Sequence, residues 1–181
     1  MQQILFALVE NKPGVLNRVA SLFRRRKFNI ESLNVGRTEQ DGISRMTIVL
    51  DDDNAVDART VEANLYKLVN VIDVQDLTNQ PSVVRDLALI KVKASPETRS
   101  EVASLAAIFR AKIVDVAPES VVVEITGTED KIESLVELLR PIGIEELVRT
   151  GQVAMMRGMS DGKRHIPGGN GKHQEKHLVK V

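Results

Sequence analysis

Apolar and polar residues change their period several times along the chain, and each change marks an element. Ile4 to Val9 is an unbroken apolar run, short enough for a buried strand, and Asn11-Lys12-Pro13-Gly14 ends it. Val15, Leu16, Val19, Ala20, Leu22 and Phe23 then recur at helical spacing, predicting a helix over 14–27 with one apolar face. Asn29 to Val35 and Ile43 to Leu50 read as strands joined through Asp41-Gly42, a hairpin signal. Asp51-Asp52-Asp53-Asn54 suits the start of a second helix, because carboxylates favour the positive end of the helix dipole. Val56, Val61, Leu65 and Leu68 continue that helix, and Val71 to Leu77 is a last strand.

The order strand-helix-strand-strand-helix-strand is the split βαβ pattern of ferredoxin-like folds. Thr78-Asn79-Gln80-Pro81-Ser82 reads as a linker, after which the order repeats. Val83 to Val92 is strand-like, 96–110 helical, and Ile113 to Val116 pairs with Val121 to Ile125 across Ala117-Pro118-Glu119-Ser120. Thr128 to Leu139 is a helix, Ile144 to Arg149 a strand, and Gln152 to Met156 a short strand extension. The expected architecture is α+β: two tandem ferredoxin-like βαββαβ domains, over 1–78 and 83–158, then a flexible glycine-rich tail over 159–181.

Composition narrows the function. Of 181 residues, 25 are basic and 25 acidic, so no net charge favours nucleic acid or an anionic membrane. With 4 Phe, 1 Tyr and no Trp, the strands lack the stacking aromatics of an RNA-binding sheet. Cysteine is absent, which removes disulfides and thiol chemistry. His165, His173 and His177 are the only histidines and all fall in the tail, which argues against neutral-pH acid–base catalysis in the folded part. His173 and His177, four apart, could share a helix face and bind a metal, but in a glycine-rich tail the expectation is no metal site. No apolar run is long enough to span a bilayer, and Met1-Gln2-Gln3 brings no positive charge ahead of the first one. The expectation is a cytoplasmic protein with no nucleic-acid or membrane partner. Arg24-Arg25-Arg26-Lys27 suits the C-terminal end of the first helix as a solvated face, or alternatively as a dock for an acidic partner.

The first strand-to-helix loop carries the most distinctive chemistry. Pro13 fixes φ, Gly14 lets a ligand approach the backbone, and the helix behind them points free N–H groups at the loop. That terminus suits a carboxylate or phosphate, and the Asn11 amide can both donate and accept. The same residues also serve as plain turn punctuation, and pattern alone leaves both readings open. Asn29 lies at the far end of the helix, about 21 Å away for about fourteen residues. One small ligand could therefore meet both asparagines only if a second copy brought its own helix end alongside. The second half has Ala94-Ser95-Pro96 at the equivalent turn, so a function carried by the loop would give the halves different tasks.

The stretch "ENKPGVLNRVASLFRRRKFNIESLNV", continued through "GISRMTIVL", resembles the small regulatory subunit of acetolactate synthase. The resemblance runs from about residue 3 to residue 158. It includes "KLVNVIDVQDL" and "IFRAKIVDVAPESVVVEITGTEDKIESLVELLRPIGIEELVRTG". The block "NIESLNVGRTEQDGISRMTI" is its most specific part, and from about Ser160 the chain departs from the family's ending.

The resemblance implies that the first domain is an ACT domain, binding an effector and forming a homodimer. It implies a non-catalytic subunit without cofactors, whose partner, the catalytic large subunit, carries thiamine diphosphate, Mg²⁺ and FAD. Activation of that subunit and feedback inhibition by valine are implied with it. In such proteins valine lies between two ACT domains, held by the loop asparagine and glycine of one chain and the strand asparagine of the other. Here those positions are Asn11, Gly14 and Asn29, with Pro13, Val15, Leu16 and Ile30 as flanking candidates. The alternatives are a free-standing ACT-type sensor acting on another enzyme or regulator, and an enzyme in its own right.

Overall fold

The computed structural model describes residues 2–51 and 58–158. The first sheet has the order β2-β3-β1-β4, built from β1 (Gln3–Glu10), β2 (Ile30–Arg37), β3 (Ile43–Leu50) and β4 (Val71–Asp76). Helices α1 (Val15–Arg26) and α2 (Ala58–Leu65) cover one face. Alternation along the strands sends Leu5, Ala7 and Val9 toward the helices, where they meet Val19, Phe23 and Leu65, each no more than 1% exposed. All three strand pairings in this sheet are antiparallel with β1 and β3 central, as a split βαβ unit requires.

The second unit repeats the plan with the order β6-β7-β5-β8. Its elements are β5 (Ser82–Lys93), α3 (Arg99–Ile108), β6 (Lys112–Val116), β7 (Ser120–Gly127), α4 (Glu129–Leu139) and β8 (Ile144–Arg149). The repetition reaches local geometry. Lys27, after α1, and Arg110, after α3, both adopt left-handed φ, at 59° and 53°. The amides of Lys27 and Phe28 donate to the carbonyls of Arg24 and Phe23, and those of Arg110 and Ala111 to Ala107 and Ala106. Each is a Schellman closure, the first completed by Phe23 and Phe28, whose rings meet edge to face at 5.9 Å.

Two expectations shift, and two others fall outside what the structure describes. The strand expected from Asn29 begins at Ile30, since the closure of α1 runs through Phe28 and leaves Asn29 as the connecting residue. The helix expected over 96–110 begins at Arg99, because Ser95 first folds a turn in which its carbonyl accepts the Arg99 amide. Asp52-Asp53-Asn54 and Val56, assigned to the start of the second helix, lie outside the described residues, as does the tail with His173 and His177.

β9 (Val153–Met156) does more than extend the chain. It pairs with the first half of β5, Ser82 to Arg85, and this two-stranded ribbon lies on the face of the first sheet opposite its helices. Phe6, Leu77 and Ala154 are buried there together. Arg45 holds the ribbon down: its guanidinium lies over the Phe6 ring, 3.8 Å from the centroid, and Nη2 donates to the Ala154 carbonyl at 2.6 Å. Gly151 makes the crossing possible, because a Cβ there would meet the Leu33 carbonyl carbon at 3.1 Å.

Where β5 leaves the ribbon for the second sheet, Asp86 is 6% exposed and its Oδ1 has no partner among the described residues. Burial pushes its carboxyl above the usual range; Arg149, 3.7 Å away, pulls it back, and Glu129 adds to the rise. A carboxyl raised on folding binds its proton more tightly in the folded chain, so stability falls as pH rises from the ordinary carboxylate value through the raised one. Asp86→Asn removes that charge. The variant should melt higher than the parent at neutral pH, and the gain should vanish in acid. Paired thermal melts across that range check the sign; an equal gap at both ends would show that ionisation of Asp86 is not the cause.

Candidate functional site

The loop between β1 and α1 is pinned from three sides. The Asn11 amide donates to the carbonyl of Gly42, in the β2–β3 turn, at 2.7 Å. The Glu10 amide donates to the Asn70 carbonyl at 2.9 Å. The side chain of Asn70, only 9% exposed, donates through Nδ2 to Glu10 Oε2 at 2.5 Å and accepts from Arg18 Nη1 at 2.6 Å. Lys12 Nζ lies 3.0 Å from the other oxygen of Glu10. The bonds from Asn70 and Lys12 hold the Glu10 carboxyl below its ordinary pKa, keeping it ionised. Arg18 on α1, Asn70 ahead of β4 and Glu10 at the end of β1 thus tie helix, strand and turn into one frame. Three polar residues so far apart in sequence give no pattern that would have revealed this.

Within that frame the start of α1 is left open. Gly14 is the N-cap residue with φ +83°, no side chain caps the helix, and no acidic residue stands in its first turn. The Arg18 amide donates to the Gly14 carbonyl, and the Val15 amide donates to the Lys12 carbonyl at 3.3 Å, a long turn bond. The amides of Leu16 and Asn17 meet no backbone acceptor among the described residues. Asn11, Pro13 and Gly14 are exposed beside them, and Leu16 is 46% exposed. Val15 differs from its flanking neighbours: its side chain is 4% exposed and belongs to the core, so only its backbone can serve a ligand. Such a terminus attracts an anion through unpaired N–H groups and the helix dipole.

The equivalent turn in the second unit is braced by its own side chains, although none of them caps helix α3. Ser95 Oγ accepts from the Thr98 amide at 3.4 Å and donates to Glu97 at 2.7 Å. The Arg99 guanidinium spans the turn to the carbonyls of Ala117 and Pro118, at 2.9 and 2.7 Å. What sets the first unit apart is the left-handed Gly14 at its N-cap and a first turn without acidic residues, where α3 has Thr98 and Glu101.

Asn29 and Ile30 are not part of that opening within one chain. The Asn29 carbonyl accepts from the Asp51 amide at 3.4 Å, whereas Asn11 donates to Gly42. Gly42 and Asp51 flank β3 at its two ends, nine residues apart, or about 30 Å of extended strand. Helix α1, with 12 residues, adds its own separation of about 18 Å between caps. Asn29 is exposed and Ile30 half-buried, both at the start of edge strand β2.

Among the described residues, no group of three or more His, Asp or Glu is placed to hold a metal ion, and no helix is long and apolar enough to cross a membrane.

Known proteins with this architecture are specific in kind. Residues 5–73 match a family model described as the acetohydroxyacid synthase small subunit-like ACT domain, and residues 85–158 match one described as the small subunit of acetolactate synthase. The chain is 54% identical over 158 residues to a probable acetolactate synthase small subunit of Archaeoglobus fulgidus, covering 87% of this chain and 98% of that protein. It is 47% identical over 158 residues to the acetolactate synthase small subunit of Bacillus subtilis, covering 87% and 92%. The crystal structure of the small subunit from Thermotoga maritima superposes with a TM-score of 0.81 at 41% identity, over 88% of this chain and 99% of that one. By these matches over both of its sheets, the chain belongs to the acetolactate synthase small-subunit family.

Proposed function

We propose that this chain is the non-catalytic regulatory subunit of an acetolactate synthase. It docks on a catalytic large subunit, raises its activity and makes it sensitive to valine, acting in the cytoplasm as a homodimer. Thiamine diphosphate, Mg²⁺ and FAD belong to the large subunit in this reading. The observation that carries the effector site is the start of α1, uncapped by any side chain and set behind the exposed, left-handed Gly14 with no acidic residue in the first turn.

Valine offers a carboxylate for the Leu16 and Asn17 amides, an ammonium for the Asn11 side-chain oxygen and a small apolar side chain for Leu16. Pro13 and Gly14 shape the approach. Asn29 and Ile30 come from the second copy, because one chain holds them far from its own loop. Inhibition follows by linkage: valine shifts the large subunit only as far as it prefers one dimer arrangement over another.

Gly14→Asp tests the loop. A Cβ at Gly14 meets nothing within 4 Å, so the fold has room for it. The left-handed backbone costs about 1–2 kcal/mol for a residue with a side chain. The added carboxylate repels that of valine. Calorimetry should find valine binding lost, while activation of the large subunit persists. Undiminished valine binding would remove the loop from the site.

Asn11→Ala and Asn29→Ala test the shared pocket. Each should weaken binding by about 1–3 kcal/mol through a ligand group left unpaired. Co-refolding the two variants makes heterodimers in which one pocket carries both defects and the other carries neither. One tight valine site per heterodimer should therefore reappear, although neither parent has any. Heterodimers confirmed by mass that show no recovery would falsify a pocket shared between chains.

A further inference from the structure

A second concavity lies on the opposite face of the first sheet from α1, under the β5–β9 ribbon. It measures about 300 Å³, at the small end of the range for ligand pockets. Three arginines line it: Arg37 at the end of β2, Arg45 on β3, and Arg85 on β5. No carboxylate does; the remaining lining is apolar apart from Asn34 and Thr47, with Val83, Val153 and Met155 contributed by the ribbon.

The charges there are not neutralised. None of the three arginines forms a salt bridge among the described residues. The contacts they do make are to neutral groups: Arg45 to the Phe6 ring and the Ala154 carbonyl, Arg85 Nη1 to the Val84 carbonyl at 2.7 Å. The adjoining cavity, which shares Arg37 and Arg45, is lined also by Glu39 and Asp73, of which Glu39 acts on Arg45 at a distance. Three cations thus line one apolar hollow that has no carboxylate of its own, an arrangement that suits an anion.

We infer that this hollow is a second effector site, taking a small organic anion with a carboxylate or phosphate head and an apolar body. Arg37 and Arg45 belong to the first unit and Arg85 to the second, so one head group held between them fastens the ribbon to the sheet. Such a ligand acts on how the two units sit together, independently of valine at the far face. The volume excludes a polymer.

The test uses the full chain and three probes: inorganic phosphate, phenyl phosphate and 4-methylpentanoate. Calorimetry should show one phenyl phosphate or 4-methylpentanoate per chain, bound more tightly than phosphate alone. The better of the two probes tells which head group the site prefers. Arg37→Gln and Arg85→Gln should each weaken that binding about tenfold, the loss of one charge-assisted contact. Arg45 is spared because it anchors the ribbon. Valine titration of the same variants should be unchanged, which separates this site from the one at Gly14. No binding of any probe at millimolar concentration, or binding that survives in the double variant, would overturn the site. Loss of large-subunit activation in a double variant of a protein that never bound the probes would assign these arginines to a protein contact and overturn it equally.

Discussion

Helix α1 is bounded by two left-handed residues, Gly14 at φ +83° before it and Lys27 at +59° after it, and the rest of the first unit is arranged around that fact. A helix with no side-chain cap at its start must find its stability elsewhere. Here it comes from the buried face of Val15, Val19, Leu22 and Phe23 and from the Schellman closure sealed by Phe28. Tertiary burial outweighs the missing cap: each such side chain contributes about 1.5–3 kcal/mol, against about 1 kcal/mol for a cap. The helix can therefore leave its first amides unpaired, and the bonds of Asn70 to Glu10 and of the Asn11 amide to the Gly42 carbonyl brace the loop in front of them.

That arrangement separates the proposed effector end from the contact between the two units. The open helix end lies at one end of the first sheet, while the second unit meets the same sheet through its other face, by way of the β5–β9 ribbon. Phe6 on β1 is buried against the ribbon, and Leu5 and Ala7 beside it are buried against the helices. A shift of β1 is thus felt on both faces. Close packing makes such layers move in discrete steps more readily than by smooth deformation. It also makes the first unit poorly suited to isolation, since removing the ribbon would leave Phe6 and Leu77 without cover.

Hydrophobic period revealed the order of elements in both units because each strand and helix buries one regular face. The loop was legible for a related reason: Pro13 and Gly14 restrict or free the backbone in ways that few other residues share. What stayed hidden depends on contacts between distant residues. Four residues, Val153 to Met156, suggest a strand but not that β5 splits its pairing to receive it. Lys27 gives no composition signal of a left-handed turn, although the spacing of Phe23 and Phe28 fits one in hindsight. The Arg18–Asn70–Glu10 frame and the arginine-lined hollow join residues from separate elements, and only the assembled sheet brings them together. Asn11 and Asn29 show the reverse. Their sequence suggested a separation, and the two ends of β3 keep it.

The pocket for valine is therefore proposed to close only between two copies, and association is where that claim is most exposed. Sedimentation at chain concentrations low enough to populate monomers, with and without valine, measures it directly. A ligand bound across two chains must favour the dimer by mass action, so valine should shift monomers into dimers and its apparent affinity should rise with chain concentration. Monomers that bind valine as tightly as dimers, with no change in association, would place both asparagines' ligand contacts within one chain and contradict the shared pocket.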